Sequence, residues 1–128
     1  MLRRHEIEIR VRYQETDAQG VVHHANYLTW LELGRVELLR AAGHSYKALE
    51  EAGIFLVVAD AQVRYFLPAR FDDLLRLVTT TVRAKGARIE HDYELFRDSD
   101  LLAQATTTVA CIDKDGRVRR LPEWLRFS

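Results

Sequence analysis

Residues 25–42 read ANYLTWLELGRVELLRAA, and this stretch decides the architecture. Tyr27, Trp30, Leu31, Gly34, Leu38 and Ala41 recur at helical spacing, whereas Glu32, Arg35, Glu37 and Arg40 fill much of the remaining circumference. Such a helix lays its apolar stripe on an apolar partner. Gly34 says what kind of partner. A mid-helix glycine costs ~1 kcal/mol relative to alanine, a cost that is tolerable where the helix must approach something flat, such as a sheet. Gly43 is the expected stop, and Ser45 the expected N-cap of a short second helix over 46–51 ended by Gly53.

On either side of the helices the period falls to two. In residues 5–13, Ile7, Ile9, Val11 and Tyr13 fall on one face and Glu6, Glu8, Arg10 and Arg12 on the other, which predicts a half-buried strand. Residues 54–66, 72–84, 87–97 and 101–113 are rich in β-branched and aromatic side chains, punctuated by Pro68, Lys85-Gly86, Asp98-Ser99-Asp100 and Asp115-Gly116. Connections this short imply antiparallel hairpins, because parallel pairs need long crossovers. An apolar tail over 121–127, with Trp124, is expected to pack on the body. The expected fold class is therefore α+β, one long helix covered by an antiparallel sheet, as a single domain over 1–128. The faces carrying Thr79, Thr81, Thr106 and Thr108 are expected to meet solvent or another subunit.

A chain of 128 residues can bury a core without disulfides or metal staples. Its 19 basic and 19 acidic side chains cancel, so nothing in the charge favours a nucleic-acid partner. Cys111 is the single cysteine and sits in an alternating strand, where it reads as a small buried residue rather than a nucleophile. No stretch is apolar enough to insert in a membrane, and no leader pattern opens the chain, so the expected location is cytoplasmic. His23 and His24 are a poor metal pair, since adjacent side chains seldom converge on one ion.

The segment between the first strand and the long helix concentrates the chemistry: Tyr13, Thr16, Asp17, Gly20, His23, His24 and Asn26. It leads into a helix N-terminus, where free N–H groups and the positive end of the helix dipole can polarise a carbonyl. A carboxylate at that place can act on water as a general base or attack directly. On spacing alone, Asp17 reads first as the anchor of an Asx turn or a cap, and only second as a catalytic group.

The run VRYQETDAQGVVHHANYL, residues 11–28, resembles the signature of the 4-hydroxybenzoyl-CoA thioesterase family, with its closest likeness to the short-chain acyl-CoA branch that includes the Tol-Pal-associated enzymes. Arg64-Tyr65, the run Pro68-Ala69-Arg70-Phe71-Asp72-Asp73, and Arg120-Leu121-Pro122 extend the likeness over nearly the whole chain. The resemblance implies a hot-dog fold, a long helix wrapped by an antiparallel sheet, assembled as a homodimer or homotetramer. It implies hydrolysis of short-chain or aromatic acyl-CoA to free acid and CoA, with no metal and no cofactor beyond the coenzyme A of the substrate. Asp17 matches the catalytic carboxylate, His24 an assisting histidine, and Tyr13 a third position. His23 stands where the family commonly carries Tyr or Phe.

Gly20, Val21, Val22, His23 and Asn26 are expected to line the substrate, and Arg64, Arg70, Lys85 and Arg88 are candidates for the CoA phosphates, since guanidinium matches phosphate geometry. Two other readings compete. One is a hydratase or dehydratase on acyl thioesters; the other is a protein that binds acyl-CoA without turning it over.

Overall fold

Helix α1 (Ala25–Ala41) packs on a five-stranded antiparallel sheet in the computed structural model, which describes residues 2–127. Met1 and Ser128, the ends of the expected domain, lie outside the described residues. The strands are β1 (Arg4–Arg10), β2 (Phe55–Tyr65), β3 (Leu74–Lys85), β4 (Arg88–Arg97) and β5 (Asp100–Ile112), in the spatial order β1-β3-β4-β5-β2. A short α2 (Tyr46–Glu51) follows α1 and begins as expected, with Ser45 Oγ accepting from the Ala48 amide at 3.1 Å.

The chain leaves β2 at one edge and must reach β3 beside β1 near the other. Residues 66–73 make that crossing along the end of the sheet. Their backbone bonds to both flanks: the Phe66 amide donates to Leu102 at 2.8 Å, Val22 donates to the Ala69 carbonyl at 2.9 Å, and Asp72 donates to Val11 at 3.1 Å. Arg97 fastens the crossing through Asp73 at 2.9 Å and the Pro68 carbonyl at 3.1 Å.

Pairing Ile7 with Leu77 and Ile9 with Leu75 keeps the apolar members of β1 and β3 on one face. That face, with Tyr93, Leu95, Leu102 and Ala103, receives Tyr27, Trp30 and Leu31 of α1. Each fully buried side chain of this size stabilises by roughly 1.5–3 kcal/mol. A second cluster, around Leu39, Leu49, Ile89, Val109, Cys111, Leu121 and Leu125, fills the space below the C-terminal half of α1. Cys111 is completely buried, and burial pushes its thiol up.

Several expectations need correction. The first strand ends at Arg10 rather than 13, because Val11 turns into the crossing and Tyr13 opens a 3-10 turn; its ring is 77% exposed and packs edge-on against Phe71. Ala41 is exposed, while Arg35, assigned to the solvent face, is buried. Thr79 and Thr81 face the helix and are buried, whereas Thr106 is exposed as expected. In the tail it is Leu121 and Leu125 that enter the core; Trp124 stays half out, stacked on His44 at 3.8 Å.

Gly34 sits directly over β3. A Cβ built there would lie 2.3 Å from Thr79 Oγ1 and 3.0 Å from Leu77 Cδ2. The hydroxyl belongs to a stiff β-branched side chain and cannot swing far away. Gly34→Ala should therefore lose stability despite its better helix propensity, by about 1–3 kcal/mol from overpacking. Thr79→Ala in the same chain should restore most of the loss, and urea unfolding of the two single variants and the double would measure it.

Candidate active site

Residues 16–22 fold back on themselves as a tight turn. The Asp17 amide donates to the Val21 carbonyl at 2.8 Å, and Thr16 pairs with Val22. Gly20 closes the turn at φ 78°, a conformation that side-chain-bearing residues rarely adopt. Asp17 Oδ1 accepts from the amides of Gln19 at 2.8 Å and Val21 at 3.2 Å, so the Asx-turn reading describes this oxygen correctly. Among the described residues no donor engages Oδ2. The side chain is exposed, anchored by one oxygen and free at the other.

The turn is tied to the start of α1 by a residue that the sequence reading passed over. Glu15 is 4% exposed, and both carboxylate oxygens are used. Oε1 accepts from the Arg12 amide at 2.8 Å, and Oε2 from Trp30 Nε1 at 2.9 Å, with the Arg12 guanidinium at 3.5 Å. The Glu15 carbonyl accepts from the His23 amide at 2.9 Å and from Asn26 Nδ2 at 2.9 Å. One residue thus holds the strand exit, the loop and the first two turns of the helix in register. The legible signal was Trp30, whose indole N–H needs an acceptor once the ring is buried.

At the helix start His24 is the N-cap residue, and its side chain makes no capping bond; its ring stacks on His23 at 4.3 Å. The amides of Ala25, Asn26 and Tyr27 are taken by His23 Nδ1, the His23 carbonyl and the His24 carbonyl. No acceptor engages the His24 amide among the described residues. It sits at the positive end of the α1 dipole, where a developing negative charge is stabilised.

Beside His24 opens a cleft of ≈ 250 Å³ walled by Val21, Val22, Tyr27, Tyr65, Phe66 and Leu67. Tyr27 and Tyr65 meet edge to face at 4.9 Å. Burial pushes both phenols up, so they stay neutral. Of the residues expected around the substrate, Gly20, Val21, Val22, His23, His24 and Asn26 cluster in this corner, and the aromatic wall from β2 is an addition to the sequence reading. Tyr13 stands at its outer rim against Phe71.

The basic candidates do not converge. Arg70 adjoins the turn through its backbone bridge to Val21, and its amide donates to Asp73 at 2.8 Å. Arg64 lies on β2 opposite Gln104. Lys85 and Arg88 face each other across the β3–β4 hairpin, beside Arg83 and Glu90, at the opposite end of the 12-residue strand β3. No group of three His, Cys, Asp or Glu side chains able to hold a metal occurs among the described residues.

The model of the thioesterase-like superfamily matches residues 11–126. The acyl-CoA thioesterase YbgC of Haemophilus influenzae is 41% identical over 106 residues, 82% of this chain and 78% of that protein. A probable thioesterase from Bartonella henselae superposes with a TM-score of 0.88 at 35% identity, covering 93% of this chain and 99% of that one. A DHNA-CoA thioesterase from Staphylococcus aureus superposes with a TM-score of 0.89 at 32% identity, covering 92% and 80%.

Glu15→Gln offers one acceptor oxygen where two donors need separate ones. It should lower the unfolding free energy by about 1–3 kcal/mol, the cost of an unsatisfied buried group. Trp30→Phe, which removes one of those donors, should soften the effect of Glu15→Gln when the two are combined, as a double-mutant cycle in urea would show.

Proposed function

This chain belongs to the thioesterase-like superfamily with the hot-dog fold, and from that premise we propose that it hydrolyses acyl-CoA thioesters to the free acid and CoA. The observation that supports the reading is that one short segment, residues 17–24, carries three features. They are a carboxylate with a free oxygen, an unengaged amide at a helix N-terminus, and an apolar cleft that Val21, Val22 and His24 help to line.

The thioester carbonyl oxygen is taken by the His24 amide, and the acyl group enters the cleft between Val22, Tyr27 and the aromatic end of β2. Asp17 Oδ2 either draws a proton from the attacking water or attacks the carbonyl carbon itself. In both routes the C–S bond breaks and the CoA sulfur leaves as thiolate, to be protonated. His24, with an exposed ring, assists at this step. In the second route, water then cleaves the acyl anhydride formed on Asp17, which releases the free acid and restores the carboxylate. The cleft volume suits a short acyl chain or a single aromatic ring. The chemistry asks for no metal or redox cofactor, and CoA enters only as part of the substrate. Arg70, nearest the turn, is the first candidate for the CoA phosphates, ahead of Arg64, Lys85 and Arg88. A single, fully buried cysteine agrees with a cytoplasmic setting; among the described residues no helix is long and apolar enough to cross a membrane.

The working unit in this reading is a homodimer, or a tetramer of two such dimers. β2 is an edge strand of 11 residues with Val57 and Val58 exposed; it ends on exposed Tyr65, and Phe66 and Leu67 follow. A long apolar edge invites pairing with another strand, and a second copy supplies it with two-fold symmetry. Pairing there adds the partner to the open side of the cleft.

Two measurements test the reading. Asp17→Asn keeps an oxygen for the Gln19 and Val21 amides, so the turn should survive while thiol release from acyl-CoAs falls ~10²–10⁴-fold; undiminished release would remove Asp17 from the mechanism. Val58→Lys should shift sedimentation toward the monomer and lower hydrolysis with it, and a fully active monomer would overturn the shared site.

A further inference from the structure

The polar groups below the C-terminal half of α1 play no part in the chemistry proposed for Asp17, and their composition is unusual for a core. Arg35 is 7% exposed. Its Nη1 donates to Tyr93 Oη at 3.2 Å, and Tyr93 Oη shares a hydrogen with Thr107 Oγ1 at 2.6 Å. Tyr46 is the other side chain that acts on it. The arginines at positions 4, 10, 12, 40, 76 and 97 all pair with carboxylates; no carboxylate lies within ion-pair distance of Arg35 among the described residues. The last carbonyls of α1 offer no substitute, because the amides of Ala42, Gly43 and His44 bond to them.

The phenols are not counter-ions either. Burial pushes Tyr46 and Tyr93 up, more than the nearby guanidinium draws them down, so both stay neutral. Burial works against the charge on Arg35, but Tyr93 and Tyr46 more than offset it, and the guanidinium stays protonated. A full positive charge is therefore buried with neutral hydrogen-bond partners only. Taking a charge out of water is costly by several kcal/mol unless an opposite charge compensates it.

His91, on β4, stands beside it. The ring is 6% exposed, and its Nδ1 is closed off from solvent with no hydrogen-bond partner. Burial first, and Arg35 second, hold its pKa at about 3, so the ring is a neutral donor or acceptor rather than a second cation. Arg35, Tyr46, Thr81 and His91 line one cavity, whose remaining walls are apolar, among them Leu38 and Ile89. Its volume is ≈ 30 Å³. About 10–15 Å³ on this measure holds one water, so the space admits one or two water-sized occupants.

We propose that this cavity is a binding site for a small monovalent anion of halide size, held by the Arg35 guanidinium and by His91 as an Nδ1–H donor. The small volume suits an occupant of water size, and charge distinguishes the anion from water, which satisfies a donor but neutralises nothing. The site lies in the core between α1 and the sheet, separate from the Asp17 corner, and it stabilises the fold rather than the reaction.

The test is crystallographic and spectroscopic. Crystals grown in bromide should show one anomalous peak in contact with Arg35 and His91 Nδ1. In solution, ³⁵Cl linewidth should broaden saturably with protein and narrow on adding bromide. Melting temperature should rise by roughly 3–8 °C over a hundredfold increase in chloride at constant ionic strength set by methanesulfonate. His91→Leu should abolish the broadening and the chloride-dependent rise, and so should Arg35→Met if it folds. A bromide crystal with no peak at this place, or broadening that survives in His91→Leu, overturns the site; the wild-type crystal decides the matter even if neither variant folds.

Discussion

The close approach of α1 to β3 at Gly34 governs what the rest of the molecule can do. With no side chain there, the helix backbone settles against Thr79 and Leu77, and Trp30 and Leu31 reach the sheet one turn earlier. The depth of Trp30 then places its indole N–H opposite Glu15, and that bond fixes where the loop must lie. The Asp17 turn and the start of α1 are tied together through Glu15 by this chain of contacts and not by any direct bond between Asp17 and the His24 amide. A helix held further from the sheet would carry its own N-terminus away from the turn.

The crossing from β2 to β3 supplies the second half of the same construction. Because β2 and β3 are not neighbours in the sheet, residues 66–73 must run past the end of every strand between them, and they do so under the Asp17 turn. The Ala69 carbonyl and the Arg70 backbone brace Val22 and Val21 from below. A strand order that looks like an inconvenience for the chain thus provides the floor of the cleft.

Periodicity made the helices and strands legible, down to the Ser45 cap and the role of Gly34 as a point of contact with the sheet. The corner around Asp17 was legible because its residues lie within one short run, and the run itself resembles a known signature. What stayed hidden shares one cause: it depends on groups distant in sequence. Glu15 reads as one more acidic loop residue until Trp30 is folded onto it, and the aromatic wall from Tyr65 to Leu67 reaches the corner only through the sheet order. Arg35 was assigned to solvent because arginine is charged, yet its position beside Gly34 and one turn before Leu38 and Leu39 puts it on the buried side. Local pattern fixes which face a residue takes only when its chemistry and its helical angle agree; here they disagreed, and the angle won.

The two ends of α1 answer opposite electrostatic problems, and this explains why one helix supports both. At its start the dipole is positive and the amide of His24 is unengaged, so a negative charge placed there would be stabilised. Toward its other end the dipole would favour a cation, and Arg35 stands there, but the guanidinium projects into the core instead of toward the final carbonyls, which their own capping amides already occupy. The dipole therefore contributes little to Arg35, and the phenols contribute hydrogen bonds without charge. At its position on the buried side of the helix the positive charge has to be met from inside the fold. An exposed corner where negative charge is favoured and a buried one that holds a positive charge are thus consequences of the same helix lying flat on the same sheet.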